Sequence, residues 1–137
     1  TDFSDVNDTI LRADAVMEFR NEEGFAELIT AFERASNLAE KGSGQEVNPE
    51  LLTDDSEEKL YDEYQNLKAE IIDLINDKEY LTALQRVATL KPAIDNFFNS
   101  VMVMADDEEV KENRLGLLKS VTDLLSKIAD LTEIVID

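Results

Sequence analysis

Apolar residues recur along most of this chain at steps of three and four, the spacing that lines one side of an α-helix. Ile10, Ala13, Val16 and Met17 predict a first short helix ending near Arg20-Asn21. Phe25, Leu28, Ile29, Phe32, Ala35 and Ala39 predict a second. Lys41-Gly42-Ser43-Gly44 closes it, placing a cation at the negative helix end and glycine where a left-handed cap is needed. Asn48-Pro49 then reads as the capped start of a brief turn through Leu52. The third helix has an acidic start, Asp54-Asp55-Ser56-Glu57-Glu58, and a buried stripe of Leu60, Tyr64, Leu67, Ile71, Leu74 and Ile75. Asn76-Asp77 breaks it, and Asn76 with Glu79 predicts a capping-box start for the fourth helix, which carries Tyr80, Leu81, Leu84, Val87 and Ala88.

Pro92 disfavours α geometry at Lys91 and has no N–H, so a fifth helix is expected to begin near Pro92 and run through Phe98 to about Val101. The last helix opens at Ala105 or Asp106, with Asp106 and Glu109 in capping positions. It is expected to bury Val110, Leu117, Leu118, Val121, Leu124, Leu125, Ile128 and Leu131. The alternation Val101-Met102-Val103-Met104 is too short and isolated to predict a sheet. Ile134-Val135-Ile136-Asp137 either frays or packs on the core. The fold class is therefore all-α: a helical bundle of five to six helices whose short connections favour antiparallel neighbours.

Composition narrows the function. The 137 residues suit a single domain, and the start at Thr1 without a methionine reads as an excised fragment. With no Cys, thiol catalysis and thiolate metal sites drop out; with no His, so do the commonest zinc ligand and general base. No apolar run is long enough for a membrane span, and the acidic N-terminus does not resemble a signal peptide. The 13 basic and 32 acidic residues give a net charge of -19, which repels a polyanion. That charge is uneven. Residues 77–105 hold Lys78, Arg86 and Lys91 against Asp77, Glu79 and Asp95, and so carry no net charge.

Little enzymatic chemistry is visible. The acidic pairs Asp54-Asp55, Glu57-Glu58, Asp106-Asp107 and Glu108-Glu109 read as solvated helix starts; a di-metal bundle uses Glu-x-x-His, and no window has the spacing of a calcium loop. Gly42-Ser43-Gly44 is no phosphate loop, and no nucleophile elbow exists. Met102 and Met104 beside Phe97 and Phe98 either form an adaptable partner surface or pack in the core; packing is the expectation. Arg34, Arg86, Lys91 and Arg114 either pair with neighbouring carboxylates or meet phosphate. Arg114, on the inner edge of the last helix, could equally hold a loop in shape.

Several segments, in order, carry a family resemblance: Ala15-Val16-Met17-Glu18-Phe19, Phe32-Glu33-Arg34-Ala35-Ser36-Asn37-Leu38, Val47-Asn48-Pro49-Glu50-Leu51, Leu90 through Met104, Glu112-Asn113-Arg114-Leu115-Gly116-Leu117-Leu118, and Ile128-Ala129-Asp130-Leu131. They resemble the DALR-type anticodon-binding region at the C-terminal end of bacterial glycyl-tRNA synthetase β subunits, similar to the corresponding domain of class I arginyl-tRNA synthetases. Glu33 stands where that family often has Lys, and Leu131-Thr132-Glu133-Ile134 diverges. The resemblance implies a cytoplasmic, non-catalytic module that binds the anticodon loop of tRNA. Its partners would be the rest of the β subunit and an α subunit that holds the catalytic centre. No cofactor is implied for this domain, the parent enzyme using ATP and Mg. The candidate contact residues are Arg34, Asn37, Arg86, Lys91, Asn96, Asn99 and Arg114. Arg86 and Lys91 are expected on phosphate and the asparagines on bases. The alternative is an acidic structural or protein-interaction bundle without direct RNA contact.

Overall fold

The computed structural model describes residues 3–44 and 46–128, with side chains described from Ile10 onward. Within them the chain forms α1 (Phe3–Arg20), α2 (Phe25–Ala39), a 3-10 turn (Pro49–Leu51), α3 (Asp55–Asn76), α4 (Tyr80–Ala88), α5 (Lys91–Ser100) and α6 (Glu108–Ser126), and no strand. The long α3 packs on α4, α5 and α6, while α2 lies on α6 and α1 on α4. The apolar stripes meet at Phe32, Leu60, Ile71, Leu84, Ile94, Phe97, Leu117 and Leu118, all fully buried. Burying a side chain of this size stabilises the fold by roughly 1.5–3 kcal/mol.

Several boundaries and faces differ from the sequence expectation. α1 has two apolar stripes, and packing on α4 buries only the one with Ala15, Val16 and Phe19; Ile10 and Met17 face outward. On α3, Tyr64, Leu74 and Ile75 are half-buried at the rim. No capping box opens α4. Asn76 still belongs to α3, and Lys78 turns left-handed at φ 62. The Lys78 N–H then donates to the Ile75 carbonyl at 3.0 Å and Glu79 N–H to Leu74 at 2.8 Å. That is a Schellman closure, which satisfies carbonyls the helix end leaves open.

α5 begins at Lys91 itself, with Pro92 second, where a missing N–H costs nothing. The cap of α6 is Asp107 rather than Asp106 or Glu109; its carboxylate accepts from the Glu109 and Val110 N–H groups at 2.9 and 3.2 Å. Val110 is only half-buried. After α2, Glu40 is the cap residue, and the left-handed glycine is Gly44 at φ 81. Gly42 serves close packing instead: a Cβ there would lie 2.9 Å from the Cβ of Leu115. Ser43 N–H donates to Glu112 at 2.8 Å, pinning this loop to α6 and holding that carboxyl below its usual value. The expected burial of Leu131 and the fate of residues 134–137 lie outside the described residues.

Candidate nucleic-acid interface

The stretch 77–105, which carries no net charge, supplies α4, α5 and the segment after it. α5 runs beside α2 in the same direction: Lys91 and Pro92 share a concavity with Phe25 and Leu28, and further along Phe98 meets Arg34. Two turns of α5 therefore present Lys91, Asp95 and Phe98 along one flank. Phe98 is half-buried against Phe97, with ring centroids 5.9 Å apart, and Phe97 is fully buried. The Arg34 guanidinium sits over the Phe98 ring, 4.1 Å from its centroid. Among the described residues it has a ring as its partner rather than a carboxylate, so its donors remain directed to solvent. Asn37 follows one turn along α2 and is exposed. An exposed arginine plane on an aromatic base, with an amide nearby, is an arrangement that stacks and hydrogen-bonds an unpaired base.

The segment after α5 corrects the expectation for the methionines. The helix ends at Ser100, and Val101 is extended at φ -130, ψ 153. In the bent segment that follows, Val103 turns into the core, while Met102 is 71% exposed and Met104 42%.

Arg114 holds this segment. One guanidinium nitrogen donates to the Met102 carbonyl at 2.6 Å, and the other pairs with Glu57 at 3.1 Å. Glu57 is fully buried, which overturns its reading as a solvated helix start. Its Oε1 also accepts from Asp54 N–H at 3.2 Å and from the Thr53 hydroxyl at 3.3 Å. Asp54 and Glu57 form the reciprocal capping box of α3. Hydrogen bonds from the Ser56 hydroxyl and N–H hold the Asp54 carboxyl below its usual value. Glu57 is the important residue that the sequence reading missed, and its signal was the Asp-x-x-Glu spacing ahead of an apolar run. Asn113 is buried too. Its side chain accepts from Asn48 N–H at 2.6 Å and donates to the Asn48 carbonyl at 3.2 Å, so α6 fixes both the 48–50 turn and the methionine segment.

The seven sequence-selected residues do not form one cluster. Arg34 and Asn37 lie on α2, whereas Asn96 and Asn99, three residues apart on α5, share a flank other than that of Phe98, where the Ser100 hydroxyl donates to Asn96 at 3.4 Å. Lys91 pairs with Asp95 at 2.6 Å along the helix. Arg86 pairs with Glu70 of α3 on a different face, in a groove lined also by Glu63, Asn66 and Thr89. Arg114 spends its donors inward, as the loop-holding reading of that residue requires.

Residues 28–136 match the family model of the DALR anticodon binding domain. The chain is 42% identical to the glycine–tRNA ligase beta subunit of Clostridioides difficile (strain 630) over 135 residues, 98% of this chain and 20% of that protein. It is also 42% identical to that of Desulforamulus reducens, over 98% of this chain and 19% of that protein. Identity to that of Halothermothrix orenii is 40%, over 97% and 20%. The chain thus spans about a fifth of the length of these relatives. With a family match that runs from α2 through the last described residue and a wholly helical fold around it, the chain belongs to the DALR anticodon-binding domain family.

Proposed function

We propose that this chain is the anticodon-recognition module of a glycine–tRNA ligase β subunit, working in the cytoplasm and reading an unpaired anticodon loop along the α2–α5 seam. The observation that carries this reading is the exposed Arg34 guanidinium stacked on Phe98, in a stretch with no net charge of a strongly acidic chain. A base lies against this plane, while Asn37 meets its polar edge; every base offers a π-face, so the stack binds and the amide discriminates. Lys91 supplies phosphate contact at the near end of the seam, and Arg86 supplies it on the α3–α4 face. With a net charge of -19, the module contributes selectivity more than affinity, and phosphate binding falls chiefly to the rest of the β subunit. Chemistry belongs to the α subunit, with ATP and Mg acting there.

The test is an NMR titration with a glycine-tRNA anticodon stem-loop at low salt. Stacking on an aromatic contributes roughly 1–3 kcal/mol per base, so Arg34→Ala or Phe98→Leu should weaken binding about fivefold or more. Unchanged affinity in both variants would remove the seam from the site. A second reading, an acidic interaction domain without RNA contact, is favoured by one observation: Arg86, Lys91 and Arg114 are each engaged by a carboxylate. The absence of any shift at millimolar RNA would favour it.

A further inference from the structure

The face of α1 turned away from the core carries an apolar stripe among polar residues. Ala15, Val16 and Phe19 are buried against the bundle, and on the opposite side Ile10 is 53% exposed and Met17 64%, with Leu11, 41% exposed, on the flank. Ile10, Ala13 and Met17 follow steps of three and four, so they form one stripe, with Asp14 between its ends. Single exposed apolar residues are ordinary, but a contiguous stripe of this kind marks a contact surface.

The two comparisons differ at this helix. The DALR match begins at residue 28 and leaves α1 out. The alignment to the β subunits covers 98% of this chain and takes α1 in. α1 is therefore shared with those subunits and lies outside the DALR match. Because the chain spans only 20% of such a subunit, about four-fifths of that protein lies elsewhere and is held close to this domain by the shared chain. A second copy is a poor occupant, since two chains of net charge -19 would bring their Asp14 side chains together.

We infer that the outward stripe of α1 seats another part of the same β subunit, an apolar segment that places a basic side chain opposite Asp14. This rests on the proposed β-subunit reading. Exposed Ala13 lets that segment approach closely, and Ile10 and Met17 enter it from either side of Asp14.

The experiment uses a full-length glycine–tRNA ligase β subunit carrying these residues, with Met17→p-benzoylphenylalanine as a photo-crosslinker and Asp62→p-benzoylphenylalanine, on the exposed face of α3, as the control. The expected result is a link from position 17 to a peptide of the same chain outside these 137 residues. Its yield should be at least about tenfold above the control and should be lost with Ile10→Asp. A link to a second copy or to another subunit, or a yield at the control level, would overturn the inference. Ile10→Asp should leave the folding of the 137-residue chain unchanged, because the residue is exposed. Stem-loop binding of the same variant separates the two proposals. A cross-link without RNA binding would sink anticodon reading alone, and RNA binding without the cross-link would sink docking alone.

Discussion

Arg114→Met isolates the group that shapes the methionine segment. The substitution keeps much of the side-chain volume and removes two hydrogen bonds, one to the Met102 carbonyl and one to Glu57. Loss of the first costs little, because Met102 is exposed and water can replace the donor. Loss of the second leaves a fully buried carboxylate without its cation. Breaking a buried pair in this way costs about 3–5 kcal/mol. Asp54 N–H and the Thr53 hydroxyl still donate to Glu57, which places the expectation at the low end, about 3 kcal/mol. Unfolding entropy for a chain of 137 residues is about 0.29 kcal/mol/K, so the melting temperature should fall by about 10 °C. Calorimetry and urea unfolding would measure this. Adding Glu57→Gln removes the stranded charge and keeps an acceptor for Asp54, so the double variant should be more stable than the sum of the singles by at least about 1 kcal/mol. A cost below about 1 kcal/mol for Arg114→Met, or simple additivity, would refute the reasoning. The methyl resonances of Met102 and Met104 should shift in the same variant, since its lost bond anchors their backbone.

Gly42→Ala should cost about 1–3 kcal/mol in urea unfolding, because its Cβ collides with Leu115, whereas Gly24→Ala meets open space and should lose only the roughly 1 kcal/mol of a left-handed backbone. Asp54 and Glu112 have folded pKa values below their ordinary 3.8 and 4.5, so the stability they add is fully present above those values and is lost as pH falls through the lowered ones. Asp54→Ala should therefore melt below the wild type at pH 7, and the gap should narrow with acid. Arg86→Ala should change stability by less than about 1 kcal/mol, because its pair with Glu70 is half exposed, and should weaken stem-loop binding about equally for matched and mismatched anticodons. Under dilute peroxide, mass spectrometry should find Met102 oxidised faster than Met104, in line with their exposures.

The helices were legible from local rules. Periodicity placed all six, Pro92 and Asn48 marked two starts to within a residue, and the missing His and Cys excluded imidazole and thiol chemistry from these residues. The resemblance pointed to the anticodon-binding family that the comparison then established. The amino-acid sequence by itself determined those things because each depends on residues within a turn or two, or on composition. Only the tertiary structure decided which of two apolar stripes on α1 is buried, since that depends on α4 lying on one side. It also decided that Glu57 is buried in an ion pair from 57 positions away, and that Arg34 meets Phe98 across the α2–α5 seam. It turned Met102 and Met104 outward, because α5 stops at Ser100 and the bent segment beyond it, held by Arg114, puts Val103 in the core. Partnerships between distant residues are fixed by how the helices pack, and a periodic pattern holds no record of which neighbour a face will meet.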